Sequence, residues 1–237
     1  MPRFFKDPFD GVLDGADGAH VARSLRMRPG DPLTVCDGHG TDYRCVITAV
    51  DGDRVSLNTL ETLPSSSEPS LKVTLYQALP KGDKLEQIIQ KSVELGVTAI
   101  VPIETAHCVV RIDDRTDKKR TRWQKIADEA AGQSGRGILP KVGAPLKWKP
   151  FLQTVSEAKT PVIVFYEGGG EKLTELVDPA MTEVAVVVGA EGGFAPEEIA
   201  ALVAAGAKTA TLGPRILRCE TAPAAALAAM MLLSGNM

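Results

Sequence analysis

At 237 residues the chain has room for one large domain, or for a small domain followed by a medium one. Hydrophobic residues make up 44%, enough for a real core. No run reaches the ~18 consecutive apolar residues that span a bilayer, and Met1-Pro2-Arg3-Phe4-Phe5-Lys6 lacks the basic, apolar, small-residue order of a signal peptide. A cytoplasmic protein with no membrane partner is expected. The formal charge of −3 is unevenly spread: −4 over residues 1–70 (7 basic, 11 acidic), +6 over 71–150 (15 basic, 9 acidic) and −5 over 151–237 (5 basic, 10 acidic). A basic middle between acidic flanks suits either a phosphate-facing surface or a solvated helix face. Cys36, Cys45, Cys108 and Cys219 form no Cys-x-x-Cys pair, and His20, His39 and His107 have no histidine one helical turn away, so no metal site is expected.

In chain order, a helix around His20–Met27 comes first. Short Val-, Thr- and Ile-rich strands follow at Leu33–Cys36, Tyr43–Val50 and Arg54–Leu60, separated by Asp37-Gly38 and Asp51-Gly52 turns, which reads as a small antiparallel β unit. Pro and Ser crowd together from Leu63 to Ser70, marking a linker. Beyond it strand and helix alternate. Leu71–Leu79 is a strand, and Asp83–Leu95 is a helix with Leu85, Ile88, Ile89 and Val93 on one face, stopped by Gly96. Thr98–Ile103 is a strand and Asp117–Gln133 a long charged helix. Strands then follow at Val162–Phe165, Val184–Val188 and Ala207–Leu212, with helices at Pro196–Ala205 and Ala222–Leu233. Such alternation implies a mostly parallel sheet covered on both faces.

Two segments carry the chemistry. From Val186 to Glu198 an apolar strand enters the turn Gly189-Ala190-Glu191-Gly192-Gly193, and then a helix with Pro196 at its first position. This turn closes the carboxyl end of a strand, where open α/β sheets bind ligands. Neither the dinucleotide glycine fingerprint nor a phosphate loop is present, and Glu197 and Glu198 would repel a phosphate. A neutral or cationic nucleoside fits better, although a glycine turn after a strand is also a common structural device. The second segment, Leu212-Gly213-Pro214-Arg215-Ile216-Leu217-Arg218-Cys219-Glu220-Thr221-Ala222, is irregular backbone whose N–H and C=O groups can read an adenine edge. Alternatively, Glu220-Thr221 is only a helix start and the arginines a surface pair.

These two segments resemble the cofactor loops of the SPOUT methyltransferases, specifically the RsmE family of small-subunit rRNA uridine-N3 methyltransferases. That family's loops read Gly-Pro-Glu-Gly-Gly and Leu-Gly-x-Arg-Ile-Leu-Arg-x-Glu-Thr-Ala. The chain departs at Ala190, where Pro is usual, and carries Cys219 where Thr is common. Lys81-Gly82-Asp83-Lys84-Leu85-Glu86, Lys91, Glu94-Leu95-Gly96 and Gln133-Ser134-Gly135-Arg136 resemble family segments in order and spacing, with Gly132 where Glu is frequent. Arg3-Phe4-Phe5, His20, Leu25 and Arg26 resemble its amino-terminal domain.

The resemblance implies an α/β fold in which a small PUA-like β-barrel over residues 1–70 precedes a SPOUT domain over 71–237, with a mostly parallel sheet and a carboxyl-terminal trefoil knot. Such knots are very rare, and nothing in the composition suggests one. It implies S-adenosylmethionine as cofactor, held by Leu79, Gly189, Glu191, Gly192, Gly193, Leu212, Gly213, Ile216, Leu217, Arg218 and Ala222. Arg218, Glu220 and Arg136 are the catalytic candidates. Arg3, Arg23, Arg26, Lys81, Lys119, Arg122 and Arg136 are the RNA-binding ones, with Arg28 and the run Lys118-Lys119-Arg120-Thr121-Arg122 beside them. Trp123 is expected to anchor its helix rather than stack on a base. The partners implied are small-subunit rRNA or the assembled subunit, and a second copy of the chain, to which the apolar Ala222–Leu233 helix contributes unless it is core. Competing readings are a SPOUT enzyme acting on another RNA position, a non-catalytic ribosome-assembly factor and, on weaker grounds, a nicotinamide-dependent oxidoreductase.

Overall fold

The computed structural model describes the backbone of residues 1–237 and the side chains of all but Asp114, Arg115 and Asp117. The chain divides into two compact units, Met1–Glu68 with Ala131–Leu139, and Pro69–Ala130 with Pro140–Met237.

The first unit is a five-stranded sheet in the order β1-β3-β4-β5-β2. Its strands are β1 (Arg3–Phe5), β2 (Val12–Leu13), β3 (Pro32–Cys36), β4 (Thr41–Asp51) and β5 (Arg54–Pro64). β1 runs parallel to β3 and the other pairs are antiparallel. Phe4, Leu13, Val21, Leu33, Val35, Cys45, Ile47 and Val55 form its core. Edge strands β1 and β2 carry no readable period because they are only 3 and 2 residues long. The helix expected at His20–Met27 is shifted: α1 (Gly15–Ala19) continues into one π-helical turn over His20–Ser24, and Arg26 at φ 53° breaks it. Leu63 and Pro64 still belong to β5.

The second unit is a six-stranded sheet in the order β11-β9-β10-β6-β7-β8, parallel throughout. It begins with β6 (Lys72–Ala78), α2 (Lys84–Glu94), β7 (Ala99–Ile103) and α3 (Asp114–Ser134), whose closing residues belong to the first unit. Next come β8 (Lys141–Val142), α4 (Trp148–Ser156), β9 (Val162–Phe165) and α5 (Leu173–Leu176). β10 (Glu183–Val188), α6 (Pro196–Ala204), β11 (Lys208–Ala210) and α7 (Ala222–Leu233) complete it. β9 is buried along its whole length, as the unbroken Val-Ile-Val-Phe run demands of a strand covered on both faces. α2 buries Leu85, Ile88, Ile89 and Val93. Trp123 is 4% exposed, so it anchors α3.

β11 lies at the sheet edge, whereas α7 packs on α2, β6 and β10. The segment between them therefore carries the chain from the edge back to the centre. α7 buries Ala226, Leu227, Met230 and Met231 in doing so, which makes this helix core, with only Leu232 well exposed among its large side chains. β11 is also shorter than the expected Ala207–Leu212. Thr211 and Leu212 leave the ladder ahead of Gly213-Pro214, and that release makes them available to the site.

Candidate active site

Loops leaving the carboxyl ends of β9, β10 and β11 enclose a cavity of about 550 Å³. Ends of adjacent parallel strands form such a crevice because every loop there rises on the same side. From the loop after β10, the cofactor candidates Gly189, Glu191, Gly192 and Gly193 line it. The turn is closed by the Gly193 N–H donating to the Ala190 carbonyl at 3.0 Å, so alanine in place of proline still supports it. Gly193 has φ +62° and lies against the Glu167 carboxylate, a conformation and an approach that favour glycine.

From the segment after β11 come the candidates Leu212, Gly213, Ile216, Leu217, Arg218 and Ala222, together with Glu220. Among the described residues, the backbone N–H and C=O groups of Leu212, Ile216 and Leu217 have no hydrogen-bond partner. Free donors and acceptors along an apolar wall are what a purine edge needs. Arg218 is exposed, and its guanidinium makes no hydrogen bond or ion pair among the described residues.

Tyr166, Glu167 and Lys84 are among the contributors that were not read from the sequence. Tyr166 and Glu167, after β9, form a third wall, and Lys84 enters from the head of α2. The signal for the first two was a second strand-to-glycine junction, Val162–Phe165 followed by Tyr166-Glu167-Gly168-Gly169-Gly170. Among the described residues the Glu167 carboxylate has no hydrogen-bond partner.

Charge in the cavity is balanced between Lys84, Arg215 and Arg218 on one side and Glu167, Glu191 and Glu220 on the other. Lys84 Nζ donates to Glu191 Oε1 at 2.8 Å and lies 3.7 Å from Glu220 Oε2. The hydrogen bond to Glu191 first, and the nearby carboxylates with it, raise the lysine's pKa above its ordinary value. Burial works against ionisation of Glu191, but the hydrogen bonds from Lys84 and from the backbone outweigh it and hold the carboxyl below its usual range. The Cys219 thiol, donating to Glu220 Oε2 at 3.2 Å, is the main reason Glu220 is also held low. Burial, helped by the neighbouring Glu220 and Glu191, pushes that thiol up to about 12, so it stays protonated and a donor.

Two expected site residues stand elsewhere. Leu79 is buried, donates its N–H to the Ile103 carbonyl at 2.9 Å and does not line the cavity, because the chain is still locked to β7 there. Arg136 belongs to the first unit, is 3% exposed, and donates to Glu68 through Nε at 2.9 Å and Nη2 at 2.7 Å. The Glu68 carboxylate also accepts the N–H groups of Gly137 and Ile138 at 2.7 and 3.1 Å. In this clasp the Arg136 guanidinium is paired with a carboxylate of its own unit.

Of the RNA candidates, Arg3 is engaged with both oxygens of Asp42 at 2.7 and 2.6 Å. Arg23 pairs with Asp53 and Arg122 with Glu86. Arg26, Lys81 and Lys119 are exposed, and among the described residues their charged groups have no ion-pair partner. Among the described residues no cluster of three His, Cys, Asp or Glu could hold a metal, and no helix is long and apolar enough to cross a membrane.

Residues 67–231 match the model of an RNA methyltransferase domain, and residues 13–60 that of an RNA methyltransferase PUA domain. The chain is 38% identical over 225 residues to the ribosomal RNA small subunit methyltransferase E of Bacillus subtilis, covering 92% of this chain and 88% of the relative. It is 37% identical to the enzyme of that name from Mycobacterium bovis, covering 95% and 87%. A crystal structure of the Neisseria gonorrhoeae ribosomal RNA small subunit methyltransferase E bound to S-adenosyl methionine superposes with a TM-score of 0.86 at 33% identity, over 98% of each chain. With the RNA methyltransferase and PUA domain models matched and relatives of this identity over nearly the whole chain, the chain belongs to the RsmE family of SPOUT methyltransferases.

Proposed function

We propose that the protein uses S-adenosylmethionine to methylate N3 of a uridine in the 16S rRNA of the small ribosomal subunit. The observation that carries this reading is the cavity itself: unpaired backbone at Leu212, Ile216 and Leu217 for a purine edge, beside carboxylates held in the ionised form. Those carboxylates suit a donor bearing a sulfonium and an ammonium, and the absence of a phosphate loop suits a donor without phosphates. The relatives named above are, by their names, methyltransferases of small-subunit ribosomal RNA. The bound donor supplies an electrophilic methyl group.

The chain's own residues then have three tasks. The loops hold donor and acceptor in line, which provides most of the acceleration. Arg218, whose guanidinium makes no hydrogen bond or ion pair among the described residues, holds the uracil and by its charge favours loss of the N3 proton. Glu191 and Glu220, both held below the usual carboxylate range, are weak proton acceptors. Their work is to bind and orient, and the proton leaves to solvent. N3 lies on the pairing edge, so the target base is taken unpaired or flipped. The exposed cations Arg26, Lys81, Lys119 and Arg120 contact phosphate and supply affinity without reading sequence. The segment that returns from β11 to α7 forms the trefoil knot, and the enzyme works as a cytoplasmic homodimer.

The test is incubation of the purified protein with S-adenosylmethionine and small subunits from a strain lacking the enzyme, followed by mass spectrometry of the nucleosides. 3-Methyluridine is expected. Another methylated nucleoside would move the target, and donor binding with no methylation would favour an assembly factor.

A further inference from the structure

The ammonium group of Lys84 is where the two loop motifs meet. Nζ is 2.8 Å from Glu191 Oε1, on the loop after β10, and 3.7 Å from Glu220 Oε2, on the segment after β11. It is also 3.8 Å from Cys219 Sγ. The Lys81 backbone N–H donates to the same Glu191 carboxylate at 3.2 Å, so the start of α2 grips the first loop twice. No strand pairing ties the two loops, because β9 lies between β10 and β11 in the sheet. One cation therefore bridges two carboxylates that would otherwise face each other as like charges. The Cys219 thiol keeps Glu220 in place by donating to the oxygen that faces Nζ.

We propose that Lys84 is a positioning residue for methyl transfer: by drawing Glu191 and Glu220 to one point, it sets the spacing between the two loops that cup the donor. This rests on the methyltransferase reading above. Pairs as exposed as this one ordinarily add little to stability, so the contribution lies in the separation of the loops rather than in holding the fold together.

Full-length wild type, Lys84→Met and Lys84→Arg distinguish these roles. Each is titrated calorimetrically with S-adenosylmethionine, assayed for methyl transfer to unmodified small subunits and melted. Lys84→Met should melt within about 2 °C of wild type. It should bind the donor about tenfold more weakly and turn over about a hundredfold more slowly, with KM for subunits unchanged. Arginine should restore most of both losses. Wild-type affinity and turnover in Lys84→Met would overturn the proposal, as would a loss of activity matched by an equal loss of stability. A wild-type chain that binds no donor would sink the methyltransferase reading and this one with it. Wild-type methylation alongside an indifferent Lys84→Met sinks only this one.

Discussion

Arg218 and Arg136 look alike in the sequence, each an arginine in a loop motif, and their surroundings separate them. Arg218 lies exposed on the cavity wall, and its guanidinium makes no hydrogen bond or ion pair among the described residues. Arg218→Ala should therefore lower kcat/KM about a thousandfold while leaving the melting temperature in place, since no packing is lost. Steady-state assays and calorimetry check this, and unchanged turnover would remove Arg218 from the mechanism. Arg136 is buried against Glu68, so Glu68→Gln strands a buried cation and should cost about 3 kcal/mol in denaturant melts. Burial opposes ionisation of Glu68, but Arg136 and two backbone N–H groups overcome it and hold its carboxyl below the ordinary value. A depressed carboxyl contributes stability above its unfolded pKa and loses it as pH falls through the folded one. Wild type should accordingly lose stability on acidification below the usual glutamate range. Glu68→Gln should show less of that acid dependence, and identical acid profiles would count against the clasp.

At the scale of elements, the glycine turn after β10 is the sharpest case. Gly193→Ala places a side chain at φ +62°, a cost of about 1–2 kcal/mol, and also crowds the Glu167 carboxylate. The loop should yield before the sheet does, so donor affinity should drop at calorimetry by more than the melt predicts. α3 offers a contrast, since its basic run is exposed around a buried Trp123. Lys119→Ala with Arg120→Ala should weaken binding of small-subunit RNA to a similar degree for any sequence and reduce the salt slope by about 2, with donor affinity unmoved. A filter-binding series in salt decides this. An unchanged slope would take α3 out of the RNA interface.

For the molecule as a whole, the prediction concerns assembly. Light scattering should give about 50 kDa, twice the 25.2 kDa of one chain. α7 cannot supply that interface through Met230 and Met231, which are 0% and 2% exposed within the chain. A mass of one chain at micromolar concentration would remove the dimer from the proposal.

The alternation of apolar strands and amphipathic helices, the glycine turn and the Leu212–Ala222 segment were legible in sequence because each rests on local patterns: the period of burial, positive φ, and a proline that stops a strand. β1, β2 and β8 were not, since two or three residues carry no period and are recruited only by their neighbours. Nor could any local pattern show that the Lys84 ammonium meets Glu191 and Glu220, residues more than a hundred positions away. The same holds for Arg136, whose guanidinium closes on Glu68, and for Leu79, which packs inside. Sequence determined which chemistry the chain carries. Tertiary structure decided which charges are spent on one another and which remain free, because the pairing of ionised groups depends on distance in space and not on order along the chain.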